Sequence, residues 1–476
     1  MRSGREIVRL RTRSLSLFLL VFLAHAYFAS ATGWNQIARI AAIFAFVEPG
    51  PDQLTLRIDG FVTPNARNFA TGDWAQGSAG HFYSNKAPGV SLLGVPAYAA
   101  LYGLERVAGA EPRSARLTRA NAIALNLWCS VLWTAIATVV LFHFLAAFGL
   151  GATDALLGAL AYAFGTLIFP YDTSIWGHTT AAACVLGALC LANWPGGGAR
   201  LPLLAGLLGG LAVLIEYTAV FPLAATGLTL LAPRCRWRQR FEFGAGAALP
   251  LLVLLLYQNA AFGGYLVTAS SQSNPVFIDG ARAFGLLGPI EPAGVWGLLL
   301  SRWRGLFLYC PVLLFAFAGA LQCWRERRRW LITACLVAFL GCVLFISSIG
   351  PWWGGWANGP RYLIVVLPLL AIFAPRTSAW SPWARGLYYF ALALSVFDML
   401  ALTAVEVMGD EADRNPLYGA SYTLLLLGEY PQNPNTSNIG LLLGLPPRFD
   451  LVPFLLVFGL WARALLRSVS APAAPR

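Results

Sequence analysis

Leu201–Glu242 reads LPLLAGLLGGLAVLIEYTAVFPLAATGLTLLAPRCRWRQRFE. From Leu201 to Ala232 the one charged side chain is Glu216. Arg234, Arg236, Arg238 and Arg240 then crowd into a short connection. An apolar stretch this long reads as two membrane-crossing segments, 201–216 and 217–232, broken at Glu216. The basic connection after them reads as cytoplasmic, because arginine and lysine are retained on that side.

The same grammar extends in both directions. Arg2, Arg5, Arg9, Arg11 and Arg13 precede an apolar run from Leu15 to Gly33. Further spans are expected at 120–146, 153–169, 178–194, 244–262, 305–322, 330–349, 361–375, 385–404 and 451–467, which makes about twelve in all. The composition agrees: 58% of residues are hydrophobic and 11% charged, against about 25% charged in soluble domains. The fold class expected is all-α and polytopic. Ala29-Ser30-Ala31 resembles a signal-peptidase site, but the run before it is long for a signal peptide and reads as a retained anchor. The eight cysteines lie in or beside apolar runs without a C-x-x-C pair, so they read as small buried hydrophobes.

The net charge of +12 does not indicate nucleic acid, because the basic residues are spread thinly between apolar runs. Topology accounts for it. With the N-terminus inside, the cytoplasmic connections hold 19 arginines and 4 acidic residues, and the opposite side holds 14 basic and 17 acidic residues. The long polar loops 34–119, 170–177, 263–304, 351–360 and 405–450 all fall on the non-cytoplasmic side. The organisation expected is a cytoplasmic segment 1–13, one transmembrane domain 14–467 and a cytoplasmic tail 468–476. Its first outer loop, 34–119, holds interfacial helices. One of these is Pro88–Leu104, which is apolar but too short and proline-broken to count as a span.

Polar residues of interest gather in those loops. The first carries Asp59, Asp73 and His81-Phe82-Tyr83-Ser84-Asn85-Lys86-Ala87-Pro88-Gly89; Lys86 is the one lysine beside 32 arginines. A compact ammonium suits a phosphate as a point charge, the alternative being a lysine kept in a solvated turn. The second loop, Phe169–His178, sets Asp172 and His178 close in sequence, as base, acid or ligands for a divalent cation. Its plainer reading makes Asp172 or Thr173 a helix cap. Glu216-Tyr217 interrupts an apolar stretch, where an ionisable group is a functional candidate by default, the alternative being a loop between short spans. Gly350–Tyr362 (GPWWGGWANGPRY) offers Trp352, Trp353 and Trp356 for stacking on a sugar ring and Arg361 for a lipid phosphate. Arg302 and Arg304 repeat that placement; the plainer reading is an aromatic belt with snorkelling arginines. Asn435-Thr436-Ser437 fits a glycosylation triplet of the kind that occurs by chance. No P-loop, dinucleotide fingerprint, H-E-x-x-H or G-x-S-x-G occurs.

The chain resembles the GT-C superfamily of membrane glycosyltransferases, and within it the bacterial branch of lipid A aminoarabinose transferases and protein mannosyltransferases. The resemblance rests on Thr71-Gly72-Asp73-Trp74 followed by Tyr83–Gly89, on Arg116 and Arg119 before the second span, and on WWGGW-x-x-GPRY. It implies transfer of a sugar from a polyprenyl-phosphate donor to an envelope glycan, lipid or protein, on the non-cytoplasmic face of a bacterial inner membrane. An aspartate early in the first outer loop would be the base, and Asp172 holds the place of a second acidic residue. The family's acidic pair after the first span falls here on Asn35-Gln36, neither of which is a base.

On this reading Asp59 or Asp73 deprotonates the acceptor, with Asp172 assisting by a hydrogen bond or a divalent cation. Lys86, Arg361 and Arg302 hold the donor phosphate. Tyr83, Asn85, His178, Glu216, Tyr217, Trp352, Trp353 and Trp356 line the sugar pocket. The readings that compete with it are a polyprenyl-lipid carrier and a non-catalytic scaffold, the latter because of Asn35-Gln36.

Overall fold

The computed structural model describes residues 4–28, 33–65, 67–195, 201–233, 235–278, 287–428 and 437–470. Ala29-Ser30-Ala31, Asn435-Thr436, Arg234 and the end of the tail lie outside the described residues. The helices are α1 (Gly4–Ala26), α2 (Trp34–Val47), α3 (Gly89–Val107), α4 (Ala115–Ala147), α5 (Ala152–Phe164), α6 (His178–Ala192), α7 (Leu201–Ile215), α8 (Val220–Thr229) and α9 (Trp237–Phe262). Then come α10 (Pro292–Leu300), α11 (Pro311–Arg325), α12 (Arg329–Ser347), the irregular α13 (Arg361–Ala379), α14 (Pro382–Val405), α15 (Pro416–Leu427) and α16 (Val452–Ser470).

The fold is all-α and polytopic, because apolar runs in lipid must satisfy their backbone groups within the segment. Among the described residues, six helices (α4, α9, α12, α13, α14 and α16) are long and apolar enough to cross a membrane. Their outward faces are apolar: Leu249, Leu252 and Leu256 on α9 and Leu455, Leu456 and Leu460 on α16 are all exposed. The expected spans fall on helical segments, but 305–322 is broken at Cys310 and 361–375 is largely 3₁₀, and two further spans differ. The first helix begins at Gly4, not Leu15, and ends at Ala26. The second half of the opening stretch forms a 3₁₀ turn, Tyr217–Ala219, and then α8, only 10 residues long. At 1.5 Å per residue α8 reaches about 15 Å, half of a hydrocarbon core. Seven cysteines are buried and Cys235 is partly so, and all eight are free.

α6 is the central helix, buried continuously from His178 to Cys190. α7 and α9 pack backbone to backbone. A Cβ on Gly206 would lie 2.0 Å from the Phe243 carbonyl oxygen, and one on Gly246 2.1 Å from that of Leu203, so small residues set this crossing.

The 34–119 region is more helical than its polarity suggests. α2 buries eleven residues, Asn35 to Ala45, around Arg39. Its end is clamped by the buried Glu48, which accepts from Tyr98 at 2.7 Å, from Arg113 at 3.0 Å and from Arg67. Burial, and then the bond to Glu48, push the Tyr98 phenol well above its ordinary pKa. A two-stranded antiparallel hairpin, β1 (Trp74–Gln76) and β2 (Phe82–Ser84), pairs Trp74 with Ser84 and Gln76 with Phe82.

Candidate active site

The hairpin register creates the first contact of the site. Because Ser84 lies opposite Trp74, the residues beyond the open end face each other. The Asn85 N–H donates to the Asp73 carbonyl at 3.2 Å, and Lys86 Nζ sits 3.2 Å from Asp73 Oδ2. α2 brings Arg39, which donates Nη1 to Asn35, one turn earlier, and Nη2 to Glu216 Oε1 at 2.7 Å. Glu216 stands between α7 and the following turn, on extended backbone. His178, the first residue of α6, places Nδ1 3.4 Å from the same carboxyl oxygen. Arg361, at the start of α13, lies 5.2 Å above the Trp176 ring and 5.1 Å from that of Tyr362.

These contacts make one electrostatic unit. Glu216 is within reach of Arg39, Lys86 and Arg361, and Asp73 acts on both arginines. The cations outnumber the carboxylates. Among the described residues, several buried polar atoms here have no partner: His178 Nε2, Arg39 Nε, Arg361 Nε and Asn85 Oδ1, and, one turn before Arg39 on α2, both amide atoms of Gln36. Buried polar groups are almost always bonded, so a concentration of orphans beside three cations points to a polar, anionic ligand. Gly177 makes the junction possible. It takes φ +86°, and a Cβ there would lie 3.0 Å from Glu216 Oε1 and 3.1 Å from Arg39 Nη2.

Other residues expected at the site sit elsewhere. Asp59 accepts from the Phe82 N–H at 2.6 Å and pairs with His81 at 2.7 Å, both side chains about one-third exposed. That is the closed end of the hairpin, away from Lys86. Asp172 is fully buried, its Oδ2 2.9 Å from His25 Nδ1, with Thr134 donating to Oδ1 at 3.2 Å. It does not cap α6, whose N-cap is Gly177. Asp172 and His178, the pair expected to hold a divalent cation, therefore belong to separate networks. Among the described residues no group of three His, Cys, Asp or Glu side chains suits a metal.

The three tryptophans do not form one stacking surface. Trp352 is buried against Gly297 and Trp303. Trp353 stacks on Trp303 and donates Nε1 to Glu411 at 2.9 Å. Trp356 is 65% exposed. Arg302 is exposed, whereas Arg304 is buried and donates to the carbonyls of Trp353 at 3.0 Å and Gly355 at 3.2 Å. Arg304 thus shapes the loop leading to Arg361. Tyr83 packs against Phe262 and Tyr257, and Tyr217 lies near Gln258.

Arg39 and His25 had no role assigned from sequence. Arg39 and His25 each stand alone in an apolar run, where an ionisable group is unusual enough to mark a site or a buried network. Gln36 stood out in the sequence only as half of Asn35-Gln36, a pair that holds no base.

No family model matches the chain, and no curated protein matches it. Among solved structures it is similar to ArnT from Cupriavidus metallidurans bound to undecaprenyl phosphate. The identity is 15% and the TM-score 0.47, over 98% of this chain and 76% of that one. The apo state of the same protein gives 14% and 0.46, over 98% and 75%. The archaeal oligosaccharyltransferase AglB from Archaeoglobus fulgidus, in complex with an inhibitory peptide and a dolichol-phosphate, gives 13% and 0.45, over 90% and 58%.

Proposed function

We propose that the chain is a membrane glycosyltransferase that takes a sugar from a polyprenyl-phosphate donor and passes it to an acceptor hydroxyl. The observation that carries this reading is the convergence of Arg39, Lys86 and Arg361 on Asp73, Glu216 and His178, with unpartnered polar atoms among them. In the transfer step the acceptor oxygen bonds to the anomeric carbon and the bond from that carbon to the phosphate oxygen breaks. The acceptor proton goes to Asp73, and polyprenyl phosphate leaves. Lys86 is placed for both halves of the step. As charge grows on the phosphate the ammonium turns to it, freeing Asp73 to take the proton. Arg39 and Arg361 bind the same phosphate, and Glu216 holds Arg39 and His178 in place. Of the two candidates Asp73 is taken as the base, because Asp59 is occupied by His81 and the Phe82 N–H. No step is routed through a metal, since the residues put forward as its ligands are apart.

His178 opens α6, Glu216 follows α7 and Arg361 opens α13. All three are helix ends that the arginine distribution assigns to the non-cytoplasmic side, which supports an active face there in a bacterial inner membrane. Envelope glycan or lipid remains the acceptor class of this reading.

The test is release of free polyprenyl phosphate by the purified protein, given a panel of polyprenyl-phosphate sugars and a crude membrane acceptor. Asp73→Asn should lower turnover by about a hundredfold or more while leaving lipid-phosphate binding intact. Binding without turnover by the wild type would instead support the scaffold reading that Asn35-Gln36 motivates.

A further inference from the structure

We propose that His25 and Asp172 are a positioning pair. They fix the 171–178 segment from within the bundle and so set the geometry of the cationic cluster; the inference rests on the phosphate-binding reading above. Both side chains are completely buried, 2.9 Å apart, and they join α1 to the segment between α5 and α6. α4 holds the same residue twice: Thr134 donates to the Asp172 carboxyl at 3.2 Å and Asn126 Nδ2 to its carbonyl at 2.9 Å.

The helix is built for that double grip. Residues eight apart on a regular α-helix point about 80° away from each other. Between Asn126 and Thr134 lies a π turn, Leu127–Val131. Its one extra residue absorbs about 100° and brings the two donors to one face.

What the pair anchors is the part of the chain that reaches the site. Beside Asp172, the Tyr171 hydroxyl donates to the Asn358 carbonyl at 2.7 Å, fixing the loop that leads to Arg361. Further on, Trp176 underlies Arg361, Gly177 makes its left-handed turn against Glu216, and His178 meets that carboxyl. Among the described residues no ion pair joins Asp172 to Arg39, Lys86 or Arg361. Asp172 therefore acts on the site through the backbone it anchors, not by touching a ligand.

The full-length protein in detergent tests this with His25→Leu, Asp172→Leu, the double variant and Asp172→Asn. The readouts are melting temperature, hydrogen exchange of 171–178 and affinity for undecaprenyl phosphate. Each single leucine variant should melt lower, since it leaves one buried polar group without its partner. The double variant should regain most of that loss, yet keep faster exchange in 171–178 and bind undecaprenyl phosphate about tenfold more weakly. Asp172→Asn, which keeps the hydrogen-bonding shape, should bind and turn over close to wild type. A double variant that exchanges and binds like wild type would overturn the assignment. So would Asp172→Asn that binds normally but is inactive, since Asp172 would then touch the reacting atoms. If the double variant does not fold, His25→Gln decides: faster exchange confined to 171–178 supports the pair, and wild-type exchange overturns it. If wild type binds no lipid phosphate, the proposed function falls, while the exchange data still decide the role of the pair.

Discussion

Two histidine–carboxyl pairs stand at either end of one short segment and do opposite things. At one end His25 and Asp172 are sealed, both side chains at 0% exposure. At the other His178 and Glu216 are 6% and 16% exposed and face three cations. The first pair is surrounded by Phe164, Phe169 and donors that match the carboxyl and the backbone carbonyl. The second is surrounded by charge; among the described residues each pair keeps one buried imidazole nitrogen without a partner, His25 Nε2 in the first and His178 Nε2 in the second. The same two residue types make an anchor in one place and part of a binding site in the other. The difference lies in what distant segments bring to them: α1 and α4 bring a histidine and two neutral donors, whereas α2, the hairpin and α13 bring cations.

The comparison breaks most visibly at Arg39. Arg39→Leu leaves Glu216 without its 2.7 Å partner and should destabilise the protein by about 3 kcal/mol or more. A denaturation midpoint unchanged by that substitution would mean that the Glu216 pair is not the charged counterpart described. A middle-sized effect is expected at Lys86. Lys86→Gln should weaken undecaprenyl-phosphate binding about tenfold, near 1.4 kcal/mol, with little change in melting temperature. Equal binding would remove the ammonium from the phosphate site. The smallest effect should come from a third pair, Asp59 and His81, whose side chains are about one-third exposed. Asp59→Asn should shift stability by under 1 kcal/mol, roughly the value of surface pairs, and leave turnover within about twofold. Loss of turnover there would return the base to Asp59.

The helices were legible in the sequence because long apolar runs have few alternatives in lipid, and their order follows from where arginine interrupts them. Lys86, Glu216, His178 and Arg361 were legible for a related reason: each is an ionisable residue at the edge of an apolar run, whereas Asp73 stood out through the Thr71–Trp74 segment. What sequence adjacency could not supply was partnership. Asp172 and His178 are close along the chain, and the turn at Gly177 sends them to different networks. Arg39 was hidden because α2 looks like part of a polar loop, although its residues bury almost completely around that guanidinium. The three tryptophans were read as one surface from their spacing. The glycines between them let the backbone fold sharply, and Arg304 fastens its carbonyls, so the rings point three ways.

The single lysine makes the site addressable by chemistry that knows nothing of its substrate. An amine-selective acylating reagent finds one side chain in this protein, Lys86, and that side chain is 22% exposed beside Asp73. Peptide mapping separates its adduct from one on the terminal amine. The rate of labelling thereby becomes a meter of occupancy, and any lipid phosphate that slows it identifies itself as a ligand before a sugar or an acceptor is known.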